Sequence, residues 1–140
     1  MNSTLPEPKE GDLWRYDYLW RWQADQGETE GRKARPVSFV AAFNVAPGIT
    51  HVYLLALTTV QPSSERLAIE IPAFEQQQAG LEGDARVWII LDEVNHDILQ
   101  VSFYFDPTAR IGSFSPRFRR QVVAEFQVAF RARTVQIVKR

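Results

Sequence analysis

Hydrophobic and polar positions alternate most clearly near the start of the chain. Trp14, Tyr16, Tyr18, Trp20 and Trp22 stand at every second position, separated by Arg15, Asp17, Leu19 and Arg21. Period two with aromatic side chains predicts a β-strand with five rings on one face. Such a face belongs in a core or serves as a platform for stacking bases. It does both if the strand runs from core to cleft. Gln23 to Ala34 is polar, holds Gly27 and Gly31 and has no apolar anchor, so a mobile loop is expected there. Pro36 to Phe43 predicts a buried strand through Val37, Phe39, Val40 and Phe43, and Pro47-Gly48 predicts a turn. His51 to Val60 is a further apolar strand with Thr58-Thr59 near its end, and Pro62 to Glu65 a turn. Leu67, Ile69 and Ile71 alternate as a shorter strand that Pro72 stops.

In the second half, Ala73 to Ala79 suits a short helix, with Pro72 at its first turn and Gly80 just past its end. Val87 to Leu91 and Ile98 to Phe105 are expected strands, the second broken by Asp106-Pro107. Ser115 is a natural N-cap with Pro116 after it. Phe118, Val122, Phe126 and Phe130 then recur every four residues, which predicts an amphipathic helix at about 116–131. Thr134 to Val138 fits a last short strand. Five to seven strands and one main helix follow, with no internal repeat. Strands and helices do not alternate, so a doubly wound parallel sheet is excluded. The expected architecture is mainly β: a small, bent antiparallel barrel with an appended C-terminal helix. Met1 to Glu10 is expected to be a loose lead-in to one domain at 11–140.

Composition narrows the chemistry. The chain has 140 residues, 45% of them apolar, which suits one domain with a sizeable core. Cysteine is absent, which excludes disulfides, a thiolate nucleophile and Cys-ligated metals. The polar start lacks the apolar stretch of a signal peptide, and no apolar run approaches membrane-spanning length, so a cytoplasmic protein without a membrane partner is expected. The net charge of −1 hides a gradient. Residues 1–35 hold six Lys/Arg and seven Asp/Glu, 36–106 two and nine, and 107–140 eight and one. A local positive surface is therefore compatible with a near-neutral total.

Phosphate-loop, dinucleotide, zincin and serine-hydrolase motifs are all missing. The two histidines, His51 and His96, stand near Asp92, Glu93 and Asp97 but make a sparse metal set. His96 is expected in a polar turn at the surface, and no metal or other cofactor is expected. Asp92 and Glu93 are neighbours, so on a strand they point to opposite faces and make a poor acid/base dyad. Two elements remain. Pro36 fixes the backbone after Arg35 and holds that arginine at a strand start. Thr58 ends an apolar strand. A guanidinium fork and a hydroxyl held close together suit a phosphate, and ordinary ion pairing of Arg35 with a local carboxylate is the competing reading.

The order of these elements resembles the MazF/PemK-like toxins. It opens with Gly11-Asp12-Leu13-Trp14, continues through a polar loop to Arg35-Pro36-Val37, and then reaches Ala56-Leu57-Thr58-Thr59. Gly80-Leu81 before a strand and Ile111-Gly112 before the last helix are similar too, so the likeness spans roughly Gly11 to Phe130. It implies an SH3-like barrel, usually a homodimer. It also implies a metal-independent endoribonuclease acting on single-stranded RNA and neutralised by a cognate antitoxin protein. By position, Arg35 and Thr58 are the expected catalytic residues, and Trp22, Arg32, Lys33, Thr59 and Gln61 the expected RNA contacts. The chain departs from the family where Ala56 replaces a proline and where Asp92-Glu93-Val94-Asn95 replaces a Gln-hydrophobic-Arg/Lys segment. The basic tail Arg131 to Arg140 also runs past the family's usual end. Two functions are compatible with this: a toxin-type endoribonuclease, or a non-catalytic relative that binds a protein on the same barrel, as gyrase-inhibiting relatives do.

Overall fold

The computed structural model describes residues 7–140. The chain is mainly β, with eight strands in one bent sheet that does not close. β1 (Asp12–Tyr16), β2 (Arg35–Ala46) and β3 (Ile49–Thr58) form an antiparallel meander. The far edge of β3 is shared by two partners. His51 to Leu54 pair with β6 (Glu93–Ile98), and Leu57 and Thr58 pair with β5 (Trp88–Ile90). β4 (Ala68–Glu70) adds to β5, and β7 (Phe105–Ser113) adds to β1. The last strand, β8 (Gln136–Lys139), is the exception to the antiparallel rule and runs parallel to β6. Register shifts interrupt the β2–β3 and β1–β7 ladders, and irregularities of this kind bend a sheet.

Alternation along the strands separates two cores. Trp14, Tyr16, Val37, Phe39, Leu54 and Ala56 bury one face, which is aromatic. Leu13, Val40, Leu55, Leu57 and Ile89 bury the other, and α3 (Pro116–Arg131) covers it with Phe118, Val122 and Phe126. Ser115 caps α3, its hydroxyl accepting from the Phe118 N–H at 3.2 Å, as the sequence predicts. The short helix at Ala73–Gln78, α2, forms as expected, with Pro72 as the N-cap itself and Gly80 beyond its end at φ 85°. Of the lead-in expected at 1–10, residues 1–6 lie outside the described residues.

Four expectations are corrected. The aromatic strand ends at Tyr16, because β2 starts at Arg35, the partner of Tyr16, and offers nothing further to pair with. The chain then turns into α1 (Arg21–Asp25), where the Gln23 side chain accepts from the Trp20 N–H at 2.9 Å and an Arg21–Asp25 ion pair spans one turn. Part of the presumed mobile loop is thus helix, and the remainder is tied down at Thr29. The Tyr104 hydroxyl and the Arg140 guanidinium both donate to the Thr29 carbonyl. The expected strand at Ile98 to Phe105 is instead a junction. β6 comes before it, Leu99–Val101 is a single 3-10 turn, and β7 continues through Asp106-Pro107. Proline is tolerated there because β7 is an edge strand, and the Asp106 carboxylate takes the Thr108 N–H. Finally, His96 is not in a turn. It lies on β6, half-buried, with Nε2 2.7 Å from Nδ1 of His51 and its ring stacked on Tyr53.

Candidate functional site

Arg35 opens β2 and Thr58 closes β3. Val37 pairs with Ala56, and carrying that register two residues further sets Arg35 against Thr58. Both line a surface hollow of about 450 Å³ with Trp20, Trp22, Lys33 and Arg66. Thr59 and Gln61 complete the part of the wall that the sequence anticipates. Of the seven expected site residues, only Arg32 is absent from this lining. Its guanidinium is held by Glu28 through two hydrogen bonds of 2.9 and 3.2 Å and lies over the ring of Trp22. Arg32 therefore acts as a brace for Trp22 at the rim.

The side chains of the hollow differ in how fully they are engaged. Arg35 is half-buried against the Trp20 ring, 5.0 Å from its centroid, and among the described residues its Nε has no hydrogen-bond partner. Burial lowers its affinity for a proton, opposed by Tyr18 nearby. A guanidinium in this position lacks the carboxylate partner that would neutralise it. The competing reading, local ion pairing of Arg35, does not hold among the described residues. The Thr58 hydroxyl accepts from the Val60 N–H at 3.1 Å. Its own proton is left to donate.

The acidic segment Asp92-Glu93 is spent internally. Arg66 takes Asp92 through both oxygens at 2.8 to 3.2 Å and reaches Glu93 at 3.2 Å. The other oxygen of Glu93 accepts from the Tyr18 hydroxyl and the Arg21 N–H. Burial pushes the Glu93 carboxyl upward, which its hydrogen bonds oppose. Repulsion of a phosphate by this segment is therefore largely cancelled before any ligand arrives. The cations lining the hollow are Lys33, Arg35 and Arg66, and among the described residues no carboxylate lines it.

Sequence reasoning missed two residues of the site. Trp20 belongs to the face expected as core or stacking platform, and it lines the hollow. Arg66 carried a faint signal, being one of only two basic residues in 36–106. The five-ring face divides as follows: Trp14, Tyr16 and Tyr18 are buried, Trp20 is half-buried and Trp22 is exposed. The aromatic series thus passes from core to cleft, although through a turn and a helix and not along one strand. The basic tail splits in two. Arg140 turns inward over the Tyr104 ring, 3.9 Å from its centroid, and donates to Asn95 at 3.0 Å, whereas Arg131 and Arg133 stay exposed. Among the described residues no three His, Asp or Glu side chains are grouped as a metal site, and no helix is long and apolar enough to cross a membrane. No family model matches this chain, and no curated protein matches it.

Proposed function

We propose that this chain is a toxin-type endoribonuclease. It cleaves single-stranded RNA by attack of the 2′-hydroxyl, as its resemblance to the MazF/PemK-like toxins implies. The observation that carries this reading is that Arg35 and Thr58 line the same hollow, whose charged lining among the described residues is entirely cationic. RNA brings its own nucleophile. The 2′-hydroxyl gives up its proton as its oxygen attacks phosphorus, the bond to the 5′-oxygen breaks with its electron pair leaving on that oxygen, which takes up a proton, and a 2′,3′-cyclic phosphate and a 5′-hydroxyl result. Charge builds on the phosphoryl oxygens along the way. The unpaired Arg35 guanidinium stabilises that charge, and the Thr58 hydroxyl donates to a phosphoryl oxygen. Trp20 and Trp22 offer stacking faces for bases, and Lys33 attracts the backbone. In this reading the protein works in the cytoplasm as the growth inhibitor of a type II toxin–antitoxin pair. It forms a homodimer, and its antitoxin competes with RNA for the hollow.

One observation favours a second reading, a non-catalytic binding module on the same barrel. Among the described residues neither histidine nor carboxylate lines the hollow, so no ordinary proton acceptor faces the 2′-hydroxyl. A single assay separates the two readings. A long mixed-sequence RNA is incubated in EDTA with wild type and with Arg35→Ala, both checked for folding by circular dichroism. Discrete fragments ending in cyclic phosphate from wild type alone are expected. Intact RNA in both lanes transfers the case to the binding module.

A further inference from the structure

Thr58 and Thr59 form a ridge with a second cavity on its other side. This cavity also measures about 450 Å³, within the range of small-molecule sites. Its walls are largely apolar, supplied by Pro36, Leu57, Val87 and Ile111. Its polar groups are of the opposite kind to those of the first hollow. Glu82 and Asp84 line it, and neither takes part in an ion pair among the described residues. Gln76, 4% exposed, lines it as well. The Gln76 amide nitrogen donates to the Ile71 carbonyl at 3.1 Å, which fixes the orientation of the amide, and among the described residues its Oε1 is left without a partner. A buried acceptor without a donor is costly, and a ligand N–H removes that cost. Arg15 is the one cation that lines this cavity among the described residues.

The two cavities share Thr58 and Thr59, and their chemistry is complementary to one nucleotide. A phosphate suits the side with Lys33 and Arg35, the two cations there that no carboxylate holds among the described residues. A flat, mainly apolar ring that presents an amino group suits the side with apolar walls and acceptors. We infer that the second cavity is a nucleobase subsite that selects amino-bearing bases. Gln76 is its specificity-determining residue. The inference rests on the ribonuclease reading only for the identity of the strand that delivers the base. Cytosine and adenine present an exocyclic –NH₂ to the acceptors. Uracil presents one N–H flanked by two carbonyl oxygens, which would face the carboxylates of Glu82 and Asp84 unfavourably.

Free nucleosides test the subsite without the phosphate hollow. Cytidine, adenosine and uridine are titrated into ¹⁵N-labelled protein and followed by heteronuclear NMR. Cytidine and adenosine are expected to shift the Gln76 side-chain amide and the Gly83 and Val87 backbone amides, with uridine roughly tenfold weaker, as loss of one buried hydrogen bond implies. Gln76→Leu should weaken cytidine and adenosine and narrow their lead over uridine, leaving only the part that Glu82 and Asp84 supply. Equal affinities in wild type, shifts confined to the Trp22 and Lys33 side, or no shifts at all would overturn the inference. The wild-type comparison decides even if Gln76→Leu folds poorly. RNA cleavage is read separately. Selective nucleoside binding without cleavage keeps the subsite and removes the ribonuclease, and cleavage without selectivity does the reverse.

Discussion

Two polar regions border the aromatic core, and they treat their charges differently. Along β6 the polar groups are enclosed and mostly answered. Tyr16 donates to Asp97 at 2.7 Å, Tyr18 to Glu93 at 3.1 Å, and the Asn95 side chain both accepts from and donates to the backbone of Leu19. Only Asp17 Oδ1 and Arg140 Nε are left over along this seam. In the hollow the opposite holds. Arg35 has no carboxylate, Lys33 is exposed, and Thr58 keeps a proton to give. A network with its partners in place fixes the fold. Groups held in place without partners are available to a ligand. The two arginines nearest the boundary show the contrast directly: Arg66 is used up by Asp92 and Glu93, whereas Arg35 forms no ion pair among the described residues and meets only the Trp20 ring.

The largest expected effect tests the open side. Arg35→Ala should lower RNA cleavage about 10²- to 10³-fold, the usual cost of removing one donor to a developing oxyanion. Thermal unfolding should shift by only a few degrees, since among the described residues the side chain makes no hydrogen bond and loses only its contact with the Trp20 ring, worth about 0.5–1 kcal/mol. A variant that loses activity and melting temperature together would place Arg35 in the framework. The next effect tests the closed side. Asn95 is fully buried and bonds the Leu19 N–H, the Leu19 carbonyl and Arg140. Asn95→Ala leaves those groups unpaired and should destabilise the fold by about 3 kcal/mol in urea titration. A loss below about 1 kcal/mol would mean that the seam is not a framework.

The same division governs how much could be read from the residues alone. Strands built on apolar alternation, such as Val37 to Val40 and Val52 to Leu57, were legible because burial demands that pattern. So was α3, whose Phe118, Val122 and Phe126 stripe and Ser115-Pro116 start act locally. β6 was not legible. Glu93, Asn95 and Asp97 look like a loop until Tyr18, Leu19 and Tyr16 arrive from about 75 to 81 residues earlier to satisfy them. The turn after Tyr16 was hidden for a related reason, since a strand can continue only where a neighbour continues. Arg35 and Thr58 were legible as a pair through the proline and the strand end. Arg66 was not, because its role comes from two carboxylates lying on the far side of β5 in sequence.

A few-fold effect is expected from Lys33, which sharpens the contrast on its open side. Lys33→Ala should weaken RNA binding modestly at low salt and reduce the slope of log affinity against log salt by about 0.7, one phosphate contact on a single strand. An unchanged slope would remove Lys33 from the backbone path.

The smallest effect concerns the closed side again, at its outer edge. His51 Nδ1 and His96 Nε2 lie 2.7 Å apart, so a single proton between them makes the bond and a second breaks it. Burial, then His51, then Lys139 lower the proton affinity of His96, and Asp97 opposes them. In the folded state His96 thus titrates below its ordinary value near 6.5, so the unfolded chain binds more protons in the window just beneath that value. The stability it contributes is present above about pH 6.5 and is lost as the pH falls through the window. Urea midpoints should therefore decline from pH 7 to 5 by less than the Asn95 effect, and His96→Phe, which keeps the ring stacked on Tyr53, should flatten that decline. A wild-type midpoint that rises on acidification reverses the sign and would make the histidine pair a site that welcomes charge, bringing the outer edge of β6 closer in character to the hollow than to the seam.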